Sequence, residues 1–218
     1  MNPRTPATGI AGLAEYSEGY PTEDDVLASA RAAADNLGCP CTPSHAGATL
    51  RFLATALCAR AAVEVGTGVG VSGLYLLRGM ARDGVLTSID IEPEYHAAAR
   101  AAFTRAGFPT SRARLIAGRA VDVLPRLASG GYDLVYVDAA KVEYPHYFEH
   151  GVTLLRPGGI IAFHGINANG RFADPTVRDP GTQALRELVR TVAEDERLAP
   201  VLLPVADGLL VASRAGDG

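Results

Sequence analysis

Residues 63–73, Val63-Glu64-Val65-Gly66-Thr67-Gly68-Val69-Gly70-Val71-Ser72-Gly73, decide how the rest of the chain reads. They begin as the end of an apolar strand starting at Ala61. They break into three alternate glycines, then return to helical spacing through Ser72, Leu74, Leu76 and Leu77. Strand, glycine turn and helix, in that order, make the first crossover of a nucleotide-binding α/β sheet. Glycine admits φ > 0 and lets a ligand lie against bare backbone. The free N–H groups of the following helix point at the same spot.

The spacing separates two cofactor classes. A dinucleotide fingerprint reads G-x-G-x-x-G, and its third glycine would fall on Val71. Here the third glycine is Gly70, and an acid, Glu64, stands two residues before the first. E-x-G-x-G-x-G resembles the S-adenosylmethionine (SAM) loop of class I methyltransferases. Alone, such a turn reads equally well as a tight strand–helix turn without a ligand. A second strand, Val85 to Asp90, ends in a carboxylate that can accept both ribose hydroxyls of an adenosyl group. NAD enzymes place an acid similarly, so Asp90 supports adenosyl binding without choosing the cofactor. It also suits an N-cap for a helix near Pro93.

With 218 residues, 48% hydrophobic and 20% charged, the chain suits one domain with a real core. A net charge of -4 and dispersed Lys and Arg argue against a nucleic-acid partner. The N-terminal residues carry no signal-peptide apolar core, and no apolar run is long enough to span a membrane. A cytoplasmic protein is expected. Cys39, Cys41 and Cys58 are an odd count that fits a reducing compartment. They read as free thiols, not metal ligands.

Residues 1–22 read as a loose arm. Thr22 to Asp25 cap a helix that Gly38 closes, and Thr42-Pro43-Ser44 open a second helix over 47–59. Residues 1–59 are thus an N-terminal addition, packed on the same domain, suited to a lid or a dimer surface. Residues 60–218 are the core. Strands are expected at 61–66, 85–90, 112–117, 132–138 and 158–164, and helices at about 71–82, 93–106, 119–128, 143–156 and 181–195. That alternation demands a parallel sheet with right-handed crossovers. Strands 199–204 and 208–213 are so close that they must pair as an antiparallel hairpin. The fold class is a Rossmann-like α/β sheet of seven strands, mostly parallel, with an antiparallel C-terminal strand and helices on both faces.

Four stretches carry a family resemblance: VEVGTGVGVSGLYLL, LTSIDIEPEYHAAAR, YDLVYVDAAKVEYPHYFEHGVTLLRPGGIIA, and GRFADP with the terminal LLPVADGLLVA. Together, over about Thr42 to Arg214, they resemble the catechol and caffeoyl-CoA type of class I O-methyltransferases and their small bacterial relatives. The resemblance implies SAM as cofactor, a small hydroxylated and aromatic acceptor, and a homodimer. Glu64, Gly66, Gly68, Gly70 and Ser72 would line the methionine and sugar side of SAM, with Thr42 touching the methionine end. Asp90 would hold the ribose, Gly118 and Ala120 would lie along the adenine, and Asp138 would sit near the sulfonium. Lys141 falls at the family's catalytic lysine. A lysine beside a sulfonium has its pKa pushed down by like charge and burial, and could take a hydroxyl proton.

One departure stands out. The family binds Mg²⁺ through the aspartate matching Asp138 and an Asp-Asn pair after the fifth strand. Here that pair is His164-Gly165. Imidazole is a poor Mg²⁺ ligand and glycine has no side chain, so no metal ligand set is assigned and the Mg²⁺ site is expected to be unused. His164 with Asp138 can form an Asp–His pair serving as base or orienting group beside Lys141. Alternatively the two recruit a softer ion with help from Asn167 or Asn169, or His164 only satisfies backbone groups.

Tyr144 and Tyr147 follow Lys141 at helical spacing and suit either the acceptor pocket or packing on the sheet. His146 and His150 read as a solvated helix face, and His96 as exposed. His45 lies near where the acceptor pocket could open and carries no role of its own. The Pro-bearing loop Arg171–Asp179 is the candidate for acceptor specificity. Two other functions compete: a non-catalytic SAM-binding module, which the lost Asp-Asn pair keeps open, and an NAD(P)-binding oxidoreductase, which Val71 and the terminal hairpin oppose.

Overall fold

The computed structural model of the chain describes residues 9–216. Seven strands form one sheet: β1 (Ala61–Val65), β2 (Val85–Asp90), β3 (Ala113–Ala117), β4 (Tyr132–Val137), β5 (Leu155–His164), β6 (Leu198–Leu203) and β7 (Leu209–Arg214). Their order is β3-β2-β1-β4-β5-β7-β6. The first five strands pair in parallel. β7 runs antiparallel to both β5 and β6. The order reverses between β1 and β4, and the C-terminal ends of strands at such a reversal leave a crevice for ligands.

The period-two pattern of β4 feeds two cores. Leu134 and Tyr136 face one side of the sheet. Val135 and Val137 face the other. The first layer is covered by α2 (Asp25–Leu37), α3 (Ser44–Ala56), α4 (Val71–Gly79) and α5 (Pro93–Arg105). The second is covered by α6 (Ala120–Val123), α7 (Tyr144–Leu154) and α8 (Pro180–Glu194). The N-terminal helices α2 and α3 therefore share a core with the sheet. Asp24 caps α2 by accepting from Leu27 N, and Gly38 ends it in the left-handed region.

Several boundaries differ from expectation. Residues 9–19 of the expected loose arm form a helix, α1 (Gly9–Gly19), tied down where Ser44 Oγ donates to the Glu18 carbonyl at 2.7 Å. The first eight residues of that arm lie outside the described residues. α3 starts at Ser44, three residues before the expected Gly47, and ends before Leu57. α6 is a single turn because Pro125 cannot continue an α-helix, and a 3₁₀ turn, Leu124–Arg126, follows. α7 ends at Leu154 and β5 begins at once, because Pro157 forces the residue before it into extended backbone. His96 is buried, not exposed, since it lies on the face of α5 that also carries Ala99 and Phe103 into the core.

Candidate active site

The glycine turn is shaped by what the chain brings against it. Gly66 has φ +94°, and a Cβ there would collide with the Asp138 carbonyl oxygen at the end of β4. Gly68 donates its N–H to Asp90 Oδ2 at 2.9 Å, and the other Asp90 oxygen accepts from Glu92 N at 3.0 Å. The ribose candidate thus also fastens the loop to the second strand. Helix α5 itself is headed by Glu92, so Asp90 acts one step outside the cap.

Two cavities, about 350 and 410 Å³, open above the strand ends. They share Gly66, Asp90, Tyr95, Asp138 and Ala139 and so form one bent cleft. Thr42, Gly68, Ser72 and Lys141 line one arm. Gly118 and Ala120 line the other, with Tyr147. Three of the expected residues do not line it: Gly70, Glu64 and His164, the last buried at the end of β5. Gly70 is pressed against Ala99 and Phe103, where a Cβ would stand 3.0 Å from both. Glu64 is fully buried beneath the turn, taking hydrogen bonds from Ser72 Oγ and Ser88 Oγ at 2.5 Å each. Burial pushes its carboxyl up to about 7, against the pull of those two hydroxyls. Sequence reasoning missed Tyr95, which reaches both arms, and Cys39 and Cys41, which line the first. An aromatic two residues into the helix after Asp90 was the available signal.

Asp138, Lys141 and His164 come together at the tips of β4 and β5. Asp138 Oδ2 meets His164 Nδ1 at 3.0 Å and accepts from Tyr136 Oη at 3.3 Å. Asp138 Oδ1 accepts from Lys141 Nζ at 3.1 Å. Lys141 Nζ also donates to the His164 carbonyl at 2.9 Å and to Tyr144 Oη. Burial pushes the Asp138 carboxyl up, but the His164 hydrogen bond and the Lys141 charge outweigh it and hold it at about 2. Asp138 is therefore ionised, which puts the proton of a neutral His164 ring on Nδ1 and leaves Nε2 a lone pair. That Nε2 is buried and has no hydrogen-bond partner. Tyr144 is fully buried and holds Lys141, while Tyr147 borders the cleft and donates to Glu143.

The donor set does not fit the family's Mg²⁺ site. Asp138 is one carboxylate, His164 offers nitrogen, and position 165 offers nothing. Among the described residues, no group of three or more His, Cys, Asp and Glu side chains could hold an ion. Asn167 through its side chain and Asn169 through its backbone are both tied to Asp207. Asn167 Nδ2 donates to Asp207 Oδ1 at 3.2 Å, and Asn169 N reaches the same carboxylate at 2.9 Å. The loop at 171–177 is gathered by Arg186 of α8, whose guanidinium donates to the carbonyls of Arg171, Phe172, Asp174 and Val177.

Known proteins share this architecture. The sequence profile described as O-methyltransferase matches residues 24–215. A protein of Mycobacteroides abscessus, provisionally named an O-methyltransferase, is 48% identical over 206 residues, covering 94% of this chain and 95% of its own. The O-methyltransferase TomG of Streptomyces achromogenes, involved in tomaymycin synthesis and solved in complex with SAM, superimposes with a TM-score of 0.84 at 28% identity. It covers 94% of this chain and 96% of its own. An O-methyltransferase of Bacillus cereus in complex with SAH does so with a TM-score of 0.84 at 25% identity, over 93% and 96% of the two chains. No described helix is long and apolar enough to cross a membrane. The sheet order, the cleft at its reversal and these likenesses lead to one conclusion: the chain belongs to the O-methyltransferase family and is a SAM-dependent O-methyltransferase.

Proposed function

We propose that the chain methylates a hydroxyl of a small aromatic acceptor without a divalent ion, through Asp138, Lys141 and His164. The observation that carries this reading is the position of Lys141. Its Nζ has three acceptors, Asp138 Oδ1, Tyr144 Oη and the His164 carbonyl. These three contacts fix the amine at the tips of β4 and β5. That group sits where a side chain at position 165 would project. Fixed there, it supplies positive charge beside the acceptor oxygen and favours its deprotonation. It is not itself the base. His164 takes that part, with Asp138 holding its Nδ1–H and Nε2 receiving the hydroxyl proton.

The donor lies along the cleft. Asp90 holds the ribose, Gly118 and Ala120 border the adenine, and Thr42, Gly66, Gly68 and Ser72 flank the methionine end. Glu64 and Gly70 shape the turn from beneath. Asp138, paired with Lys141 at 3.1 Å and lining the cleft, would offset the repulsion between that ammonium and a bound sulfonium. The acceptor oxygen attacks the methyl carbon as the carbon–sulfur bond breaks, and holding the two in line supplies much of the rate. The exposed side chains Leu13, Tyr16, Tyr20 and Phe52, on α1, just after it and on α3, support pairing of two copies through that face. The neutral-to-acidic surface gives nucleic acid no basic footprint.

Transfer of labelled methyl from SAM across a panel of phenols tests the reading. An O-methylated product supports it. Tight SAM binding with no product from any phenol, with or without Mg²⁺, would favour a SAM-binding module instead.

A further inference from the structure

Arg119 and Glu143 meet at the second arm of the cleft. Arg119 Nη2 donates to Glu143 Oε1 at 3.0 Å, and both side chains line the cavity of about 410 Å³. Arg119 follows β3 and Glu143 follows β4, and in the sheet β2 and β1 stand between those two strands. The ion pair therefore bridges the sheet over the strand tips that carry Gly66 and Asp90. An exposed pair of this kind contributes little to stability. Tyr147 Oη donates to the second Glu143 oxygen. That bond holds the Glu143 carboxyl below its ordinary value, with burial opposing it and Arg119 adding to the pull. Glu143 is thus an ionised acceptor with both oxygens oriented, set beside a guanidinium that only donates.

The surroundings say what such a pair would meet. Ile91 is 60% exposed and Val142 56%, and both line the same arm. Large apolar side chains left open at a cavity suit the faces of a flat ring. Other carboxylates on the arm are engaged elsewhere. Asp138 is held by His164 and Lys141, and Asp90 accepts from Gly68 N and Glu92 N. Adenine carries, on one edge, an exocyclic amine that donates next to N7, which accepts. A carboxylate and a guanidinium side by side offer the complementary acceptor and donor, as the two ends of a carboxamide do when Asn or Gln reads adenine.

We propose that Glu143 and Arg119 read the amino edge of the cofactor's adenine, the carboxylate accepting from the exocyclic amine and the guanidinium donating to N7, with Ile91 and Val142 against the faces of the ring. This rests on the reading above that the adenine lies along Gly118 and Ala120. The 6-oxo base hypoxanthine turns a lone pair toward the carboxylate where adenine turns an N–H, so the site discriminates against it.

Calorimetry on the full chain with SAH and with its 6-oxo analogue, S-inosylhomocysteine, tests the assignment. Wild type is expected to bind SAH about 10-fold or more tighter than the analogue. Glu143→Gln keeps an acceptor for Tyr147 and Arg119 and gains an amide N–H that can face the oxo group, so the preference should fall to about 3-fold or less. Arg119→Met should weaken both ligands by a similar factor, because both bases keep N7. Equal affinity of wild type for the two ligands, or a preference that survives Glu143→Gln, overturns the assignment of Glu143 and leaves the adenine arm standing. Undiminished binding of both ligands by Arg119→Met overturns the part given to Arg119. Undiminished SAH binding by Asp90→Ala would move the adenosine out of this arm and take the whole assignment with it.

Discussion

A Cβ at position 165 would stand 2.9 Å from Lys141 Nζ, and Gly165 holds φ at +75°. Glycine there is the residue that gives the lysine its place. A larger residue would meet a strained backbone and an ammonium at once. The missing side chain at 165 and the inward-turned lysine at 141 are two sides of one arrangement.

Lys141→Met removes the charge while keeping most of the side-chain volume. Turnover is expected to fall about 100-fold or more, the scale of losing a placed electrostatic group. SAM affinity measured by calorimetry should change by less than about 3-fold. Unchanged turnover would remove Lys141 from the mechanism.

Asp90→Ala strikes the other end of the donor. It removes the proposed ribose acceptor and the anchor of Gly68 N. Hydrogen bonds to charged groups contribute about 2 kcal/mol, so the Kd for SAM should rise roughly 30-fold. Turnover at saturating SAM should drop far less. Equal Kd values for variant and wild type would place the ribose elsewhere.

Glu64 makes stability depend on pH. Its folded pKa, about 7, lies above the ordinary 4.5, so its stabilising contribution is complete below 4.5 and is lost as pH rises through 7. The loss is about 3 kcal/mol across that window. Glu64→Gln keeps a donor and an acceptor for Ser72 and Ser88 but cannot ionise. Urea melts at pH 5 and pH 8 should therefore show a stability gap that is smaller in the variant by about this amount. An identical gap in both proteins would show that Glu64 titrates in the folded protein as it does in the unfolded chain.

Arg186→Ala should loosen the loop at 171–177 by freeing the four carbonyls that it gathers. Because that loop follows β5 and is the segment proposed to set acceptor specificity, the acceptor KM is expected to rise several-fold while the Kd for SAM stays level. A parallel change in both constants would mean that the loop supports the whole cleft.

Much of this was legible in the sequence because local chemistry and fold agreed. Alternating glycines after an apolar strand, an acid ending the next strand and a hairpin too tight for a crossover left one sheet arrangement. Most of the cleft lining followed from it, since residues at the C-terminal tips of adjacent parallel strands must converge. Depth was not legible. Glu64 and Asp90 are both acids at strand ends, yet the first lies under the turn and the second at its rim, and only the Ser72 and Ser88 hydroxyls explain the difference. The pairing of His45 with the turn at Ala206 spans 161 residues and carries no sequence pattern. α1 was missed because its glycines and polar residues gave no clear stripe, and its anchor, Ser44, lies on another helix.

The most direct test of metal-free transfer is the initial rate of methyl transfer by wild-type protein, freed of metal by chelation, in EDTA and after stepwise addition of Mg²⁺, Mn²⁺ and Zn²⁺. The expected result is a full rate in EDTA that none of the ions raises by more than about 2-fold, since Lys141 already supplies the charge. A rate that vanishes in EDTA and returns with any one ion would contradict it.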